Sequence, residues 1–400
     1  MAIVADYTFR WIEKIAEVPK ADWDALAQPL KTPFFEWDWL HNLEQSGSVR
    51  PETGWQPLHL TVWQGERFVA AAPLYLKGHS YGEFVFDHQW AELADRFGLS
   101  YYPKLLGMSP FTPAVGYRFL IDPGEDQQEM TQAMVSVIDQ FCDRNNILGC
   151  NFLYVDPDWR PLLERCGFTP WMHHNSVWHN RDFATYDDYL KLFNANQRRN
   201  IKREMQAITK AGLEMRTFSG DQITPELLKL MYGFYSHHCD KFGYWGSKYL
   251  TPEFFTQLYE TSRHRLVLAA AVPPGDQGGD PLGMSFCVYK GDRLYGRYWG
   301  SYQDIDCLHF NACYYTPIQW GIENGIQVFD PGAGGAHKKR RGFPATAHYS
   351  LHRFYHPRFG KVLRDYLQQV NTMELREIEA INNDLPFNQT EVKLTVEEFI

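Results

Sequence analysis

The chain has 400 residues, of which 44% are hydrophobic and 22% charged, a balance that fits a folded globular protein and excludes a disordered one. Its 48 acidic and 39 basic residues give a formal net charge of −9, which argues against a protein built mainly to coat nucleic acid or anionic lipid. Aromatic residues make up 16% of the chain, and this excess predicts large cores or a ring-lined cleft.

The length predicts two domains, and the pattern of apolar residues predicts no membrane insertion. The longest apolar stretch, residues 266–274, is less than half of the roughly 20 residues needed to cross a bilayer. The first residues lack the apolar segment of a secretory signal, so we expect a cytoplasmic protein. Seven cysteines without a CxxC pair indicate reduced thiols and no structural zinc site.

The first half of the chain predicts helices around an antiparallel meander. Residues 33–47 carry an apolar stripe that ends at a glycine, which indicates a helix. Residues 57–86 contain strand-length apolar runs separated by Gln-Gly and Lys-Gly turns, which indicates a meander. A second helix is expected over 127–145, and a domain boundary near 175–185 gives two domains, 1–180 and 181–400.

The second half repeats this scheme. Residues 186–211 predict a helical region, with a break at 194–196, and residues 225–239 predict another helix. Residues 265–300 form a second meander, and a helix over 309–324 leads into a strand at 326–329. The pair Lys77-Gly78 corresponds to Lys290-Gly291 in the second meander. We therefore predict an internal duplication and two α/β domains.

The first candidate site is the segment 79–88, where two carboxylates and two imidazoles occur among aromatic residues. If this segment is a strand, His79, Glu83 and Asp87 share one face and should lie in or beside the largest cleft. Either carboxylate would then act as a general base with His79 as its partner, or Glu83 and Asp87 form a buried ion pair with Lys104 or Arg118.

Two further segments carry pocket-forming residues. The proline-rich loop 101–113 places Tyr102 and Lys104 either in a substrate pocket or in a rigid connector. The strand end Gly296–Gly300 places Arg297 beside Tyr298 and Trp299. That arginine suits a carboxylate or a phosphate, although stacking on rings is equally a structural arrangement.

The turn after the last predicted strand is the most specific feature. Glycines, including Gly332 and Gly334, precede a basic run that contains His337, Lys338 and Arg341. Backbone amides and exposed cations of this kind suit an anionic ligand, and the alternative is a solvated basic turn. A second basic stretch, residues 198–203, is either a solvated helix face or a contact for phosphate or RNA. His348, His352 and His356 have no neighbouring ligand set, so no metal is expected.

Several long strings resemble the FemAB-like predicted N-acyltransferases of the peptidoglycan biosynthesis/recognition type, within the GCN5-related N-acetyltransferase (GNAT) superfamily. The strings are PFFEWDWLHNLEQSGS, PLYLKGHSYGEFVFDHQWA, YYPKLLGMSPFTPAVGYRFL, LYGRYWG, LHFNACYY and GAGGAHKKRRGF. The resemblance covers roughly residues 30–360. It implies an α/β (α+β) chain of two tandem acetyltransferase-like domains, with mixed sheets flanked by helices.

The resemblance also implies an acyltransferase that moves an acyl or aminoacyl group to an amine. The donor would be acyl-coenzyme A or aminoacyl-tRNA, held by the 332–341 turn in the second domain. The acceptor would be a small-molecule or peptide amine, with no DNA as a partner. Glu83, Asp87 or His309 would serve as the base, and the backbone near Arg297 as the oxyanion site.

The sequence departs from the family pattern at three positions near this site. Asn311 stands where the family has glutamate, and Gly334 and Ala336 stand where it has glutamine and glutamate. A non-catalytic protein that binds a cell-wall precursor or peptide on the same fold is therefore the alternative.

Overall fold

The computed structural model describes residues 3–4, 7–243, 246–275 and 279–388. The chain forms two compact units: the first comprises residues 1–173 and 348–375, and the second 174–347 and 376–400. The predicted segments 1–180 and 181–400 are each continuous in sequence, whereas residues 348–375 of the structure return to the first unit. The return follows from strand pairing, because residues 351–354 pair with residues 149–152.

The α-helices of the described residues are α1 Lys20–Ala27, α2 Trp37–Gln45, α3 His88–Arg96, α4 Gln127–Arg144, α5 Arg160–Arg165, α6 Tyr186–Lys191, α7 Ala195–Lys210, α8 Pro225–Asp240, α9 Pro252–Thr261, α10 Leu308–Phe310, α11 Thr316–Glu323 and α12 Pro357–Asn383. A π-helical turn, Asn311–Tyr315, joins α10 to α11. None of the helices in the described ranges is long and apolar enough to span a bilayer.

The strands are β1 Ile3–Val4, β2 Tyr7–Ile12, β3 Trp55–Pro57, β4 His59–Gln64, β5 Arg67–Ala72, β6 Tyr75–Lys77, β7 Lys104–Gly107, β8 Leu120–Ile121, β9 Gly149–Phe152, β10 Thr169–Ser176, β11 Trp178–His179, β12 Glu214–Ser219, β13 Leu266–Val272, β14 Gly283–Lys290, β15 Arg293–Ser301, β16 Val328–Asp330 and β17 Ala345–Phe354. They form three sheets, ordered β1-β2-β4-β5-β8, β10-β17-β9-β7-β6-β3 and β11-β16-β15-β14-β13-β12.

Each unit contains one parallel strand pair that is reached through a helical crossover. In the first unit β7 and β9 are parallel, and α4 lies between them in the chain. In the second unit β15 and β16 are parallel, and α10, the π-turn and α11 connect them. Parallel neighbours require such a crossover, and the strand beside each pair, β6 or β14, is antiparallel. The two units therefore share a mixed-sheet plan.

Local sequence accounts for several predicted elements. The helical region 186–211 is broken as predicted, because Asn194 caps α7 by accepting a hydrogen bond from the Gln197 amide. The second meander is confirmed, since β13, β14 and β15 pair in antiparallel order. The predicted helix at 33–47 begins later, at Trp37, and ends before Gly47, whose φ of 72° suits glycine.

The first meander prediction is wrong in its second part. Strands β4 and β5 form the expected hairpin, but β6 pairs with β3 and β7 in a different sheet. After Lys77 the chain leaves the sheet, and residues 78–87 form a loop that leads into α3. Lys77-Gly78 is therefore not equivalent to Lys290-Gly291, which turns directly from β14 into β15.

Candidate active site

A cavity of about 470 Å³ opens in the second unit where β15 and β16 separate. The two strands are in register only as far as Tyr295 and Asp330, after which β16 ends. Beyond Tyr295, β15 continues to Ser301 and pairs with β14 on its other side. Among the described residues, this stretch of β15 has no partner strand on the side of the gap, a common setting for ligand binding.

The cavity wall combines aromatic rings, cations and a glycine-rich turn. Its lining residues are His238, Ser285, Phe286, Cys287, Gly296, Arg297, Tyr298, Trp299, His309, Cys313, Tyr314, Pro331, Gly332, Ala333, Gly334, Gly335, His337 and Lys338. None of these described lining residues is an aspartate or a glutamate. The wall therefore favours an anionic ligand over a cationic one.

Glycine at two positions allows the strands to approach each other beside the cavity. A Cβ atom at Gly296 would lie 3.2 Å from the Cα atom of Pro331, tighter than ordinary packing. Gly332 has a φ of 90°, in the region that favours glycine. Gly332 also donates its amide to the Asp330 carboxylate at 2.9 Å. A larger residue at either glycine would displace the turn that follows β16.

The π-turn forms another wall, and its irregularity has a visible cause. Pro317 has no amide hydrogen to continue the α-helical pattern, and the Thr316 amide donates to Asn311 instead. The Ala312 carbonyl, which Thr316 would otherwise serve, accepts from the Ser285 hydroxyl at 2.5 Å. Tyr314 of this turn shares a hydrogen bond of 2.8 Å with His337 Nε2.

Lys338 places a buried cation against the cavity. Its side chain is only 2% exposed, and its Nζ donates to the Gly332 carbonyl. Burial lowers the pKa of Lys338 to about 8, although the Asp330 carboxylate opposes this shift. Burial raises the pKa of Asp330, which also accepts from the Asn175 amide at 3.0 Å.

The three cavity histidines favour the neutral form, and burial lowers the pKa of His238 as well. Burial, together with His337 and Arg341, lowers the pKa of His309 to about 3. Burial and the Arg341 charge also lower the pKa of His337. The His309 ring packs against Trp299, with 4.6 Å between ring centroids. Burial raises the pKa of Cys287 to about 12, so this thiol is protonated at neutral pH.

Lys338 and Arg341 are buried, and the expectation that both are exposed is wrong. Arg341 is 3% exposed, donates to Glu204 Oε2 at 2.7 Å and to the His337 carbonyl at 2.9 Å. Its guanidinium carbon lies 3.4 Å from the centroid of the Phe310 ring. The physical reason is that each cation finds a partner inside the protein: a carbonyl for Lys338 and a carboxylate for Arg341.

The first-unit candidates form a buried ion cluster. Glu83 and Asp87 are 1% and 3% exposed, as expected for acids that are not on the surface. Lys104 Nζ donates to Glu83 Oε2 at 2.7 Å, to Asp87, and to Ser80 Oγ at 2.7 Å. Tyr101 donates to Asp87 Oδ2 at 2.6 Å. Of the alternatives weighed from sequence, this geometry matches the ion pair with Lys104.

The predicted common strand face is wrong, because residues 78–87 are a loop. His79 does not pair with Glu83; its Nδ1 accepts from the Tyr81 amide at 3.2 Å. Burial raises the pKa of Glu83 to about 7. Burial would also raise the pKa of Asp87, but the Lys104 ammonium outweighs burial and lowers it. Tyr102 shares a 2.8 Å hydrogen bond with Ser80.

The structure brings together eight of the residues singled out from sequence at the second-unit cavity: Arg297, Tyr298, Trp299, His309, Gly332, Gly334, His337 and Lys338. It places His79, Glu83, Asp87, Tyr102 and Lys104 in the first unit. Arg341 stands behind the cavity wall. Within the described ranges no group of three or more His, Cys, Asp or Glu side chains could hold a metal ion.

Sequence reasoning missed residues that reach the site from distant elements. His238 comes from α8 and Ser285 from β14, and neither belongs to a local motif. Glu204 of α7 is a third such residue, since it accepts a hydrogen bond from Arg341. A single acid among basic residues on one helix was the available signal, because such a residue often has a specific partner.

A family profile described as FemAB-like, peptidoglycan biosynthesis/recognition, matches residues 14–389. No curated protein sequence matches the chain. Among solved structures, FemX has a TM-score of 0.53 at 11% identity, over 89% of this chain and 100% of FemX. The C-terminal domain of a putative lysylphosphatidylglycerol synthetase from Agrobacterium fabrum has a TM-score of 0.52 at 9% identity, over 88% and 97%.

A tandem GNAT protein from the clavulanic acid biosynthesis pathway is similar at a TM-score of 0.43 and 10% identity, over 88% of this chain and 99% of that protein. The α/β fold class predicted from sequence is confirmed: the two compact units contain mixed sheets with helices, and the chain shares its fold with FemX and the synthetase domain.

Proposed function

We propose, from the premise that this chain belongs to the FemAB-like family of peptidoglycan biosynthesis/recognition proteins, that its second unit transfers an acyl or aminoacyl group to an amine. The observation that carries this proposal is the cavity between β15 and β16, which has Lys338 and Arg297 in its wall and no carboxylate among its described lining residues.

In the transfer step the amine nitrogen bonds to the acyl carbon, and the bond from that carbon to the donor oxygen or sulfur breaks. The nitrogen loses a proton, and the leaving group gains one. Charge builds on the acyl oxygen as the tetrahedral intermediate forms. Lys338 and the backbone amides of β15 beyond Tyr295, where the pairing with β16 ends, are the donors that would stabilise this oxygen.

The cations of the cavity also favour the reactive form of the acceptor. An ordinary amine has a pKa near 10 and must lose a proton before it can attack. A bound ammonium beside Lys338 and Arg297 would be disfavoured by their like charges, which lowers its pKa. His337, neutral and linked to Tyr314 at 2.8 Å, is our candidate to accept the proton. His309 is the second candidate.

The charge around the cavity favours an aminoacyl-tRNA end over acyl-coenzyme A as the donor. The loop after β15 carries Asp304 and Asp306, both exposed, which would repel a pyrophosphate placed there. Five basic residues of α7 have no ion-pair partner among the described residues: Arg198, Arg199, Lys202, Arg203 and Lys210. This helix contacts the 336–341 turn, since Gln197 donates to the Arg340 carbonyl at 2.7 Å.

A cationic helix beside the cavity fits a long polyanion, because each phosphate that is neutralised releases counterions. We infer that α7 contacts the RNA backbone and that the cavity holds the aminoacyl end. The acceptor would be an amine of a cell-wall precursor or peptide, as the family description suggests.

A transfer assay with labelled donors tests the proposal. Labelled aminoacyl-tRNA and labelled acyl-coenzyme A are each incubated with the protein and a lysine-containing muropeptide, and label in the muropeptide is counted. We expect transfer from aminoacyl-tRNA, and transfer should be lost in Lys338→Met. Transfer from neither donor, or equal transfer by the Lys338→Met variant, would contradict the proposed function.

A further inference from the structure

Two carboxylates bind the cationic turn 336–341: Asp384 pairs with Lys339, and Glu204 of α7 pairs with Arg341. Glu204 of α7 accepts from Arg341 Nη2 at 2.7 Å and from the Tyr315 hydroxyl. Arg341 in turn donates from Nη1 to the His337 carbonyl at 2.9 Å. Both side chains of the ion pair are largely buried, at 4% exposure for Arg341 and 17% for Glu204.

The π-turn connects this ion pair to the cavity. Its consecutive tyrosines serve the two ends of the network: Tyr314 bonds the His337 ring, and Tyr315 bonds Glu204. Asn311 of the same turn donates to the Glu204 backbone carbonyl at 3.0 Å. An ordinary helical turn would change the direction of one tyrosine relative to the other, because the π-turn adds one residue to the turn.

The 336–341 turn depends on these contacts for its shape. It lies between Gly335 and Gly342, with φ values of 95° and 74°, so the backbone at both ends is unusually free. The contacts from Glu204 through Arg341, and from Tyr189 to the Arg341 carbonyl at 2.8 Å, restrict that freedom. Two cavity residues, His337 and Lys338, stand on this turn.

We propose that Glu204 is a positioning residue, which acts through Arg341 to fix His337 and Lys338 at the cavity wall. This inference rests on the proposed function for the ligand that the turn contacts. Glu204 does not line the cavity, so it would act without touching the substrate.

Glu204→Gln tests the inference, because the amide keeps an acceptor for Tyr315 and removes the charge that orients Arg341. The first readout is the pKa of the His337 ring, measured by NMR titration with the signal assigned through His337→Gln. The ring also faces His309, Tyr314, Lys338 and Arg341. Since Glu204 raises this pKa and Arg341 lowers it, we expect Glu204→Gln to lower it further.

The second readout is binding of a CCA-ended RNA oligonucleotide, for which we expect about tenfold to 100-fold weaker affinity in Glu204→Gln and in Arg341→Lys. Glu204→Asp should recover part of the affinity. Glu164→Gln is the matched control, because Glu164 pairs with Arg160 at 3.1 Å in the first unit and should change neither readout.

The two proposals fail in different ways. If the wild-type protein binds and transfers from neither donor, the proposed function fails, while the His337 titration still tests the positioning role. If Glu204→Gln lowers thermal stability but leaves the His337 pKa and the oligonucleotide affinity unchanged, Glu204 is only structural and the inference is overturned. The same result for Arg341→Lys would overturn it if Glu204→Gln does not fold.

Discussion

Each unit buries a lysine near the parallel strand pair of its sheet, but the two lysines have different surroundings. Lys104 of β7 is surrounded by two carboxylates and a serine. Lys338 donates to a backbone carbonyl and faces a cavity. Burial would lower the pKa of Lys104, yet Glu83 and Asp87 raise it, whereas burial lowers the pKa of Lys338 to about 8.

This difference indicates a division of roles. A buried cation whose charge is compensated inside the protein has no charge left for a ligand, whereas a buried cation beside an open cavity is compensated fully only when an anion binds. Side-chain packing at the parallel pair β7 and β9 supports the same division of roles. A Cβ atom at Gly107, at the end of β7, would lie 2.2 Å from the Tyr117 hydroxyl, so rings occupy that position.

The largest effect should follow from removing the first lysine. Lys104→Met removes the ammonium that is bonded to both buried carboxylates, Glu83 and Asp87, while Lys77 remains nearby, and we expect a loss of about 3–5 kcal/mol in the free energy of unfolding. Urea denaturation measures this loss. The control is Lys361→Met, because Lys361 is 76% exposed in its pair with Asp365 and should cost no more than about 1 kcal/mol. Equal losses of unfolding free energy in the two variants would contradict the structural role of Lys104.

The same substitution in the second unit should affect function instead of stability. Lys338→Met removes a buried cation that has no carboxylate bonded to it, so we expect a change in unfolding free energy well below that of Lys104→Met. Transfer should fall about 100-fold to 1,000-fold in kcat/KM, as for the loss of one oxyanion donor. An equal loss of unfolding free energy in Lys338→Met and Lys104→Met would contradict the assignment of a functional role to Lys338 and a structural role to Lys104.

The pH dependence of stability and of donor affinity tests the role of the Lys338 ammonium. Lys338 has a folded pKa of about 8, lowered from 10.5, so the unfolded chain binds more protons between these values. The contribution of Lys338 to stability should therefore rise as pH increases from about 8 to 10.5. Affinity for an anionic donor should fall over the same range, because the ammonium is lost. Lys338→Met should remove both trends, and a wild-type affinity that is flat from pH 7 to 10 would refute the role of this ammonium.

The smallest effect concerns the π-turn. Ser285→Ala removes the hydroxyl that serves the Ala312 carbonyl, and we expect a cost of about 1 kcal/mol in unfolding free energy. The matched variant is Ser46→Ala, because Ser46 donates to Leu43 at a part-buried first-unit site. Only Ser285→Ala should also weaken binding of the CCA-ended oligonucleotide. Equal binding by both variants would show that the π-turn does not contribute to ligand binding.

Sequence patterns predicted the elements whose signals are local. The second meander and the break at Asn194 follow from turn residues and a helix cap, which act over a few positions. The loop at 78–87 could not be recognised in the same way, because its alternating apolar residues suit a strand. What decides its conformation is the pairing of Glu83 and Asp87 with Lys104, 17 to 21 positions away.

In the candidate site too, residues in contiguous motifs were predictable from sequence, and contacts between distant residues were not. The basic turn and the strand end at Arg297 were recognisable because their residues are contiguous, and both reach the cavity. The burial of Arg341 depends on Glu204, 137 positions away, and on the Phe310 ring of α10. A run of basic residues contains no information about partners so distant, and so the sequence alone predicted an exposed turn.

The location of a bound donor end tests the central claim most directly. A crystal structure of the protein with a hydrolysis-resistant aminoacylated CCA oligonucleotide would show where the acyl group lies. We predict that the acyl carbonyl lies between β15 and β16, within hydrogen-bonding distance of Lys338 Nζ or the backbone amides of β15 beyond Tyr295, with the RNA backbone on α7. An acyl group bound beside Lys104 and Glu83 in the first unit would contradict the account.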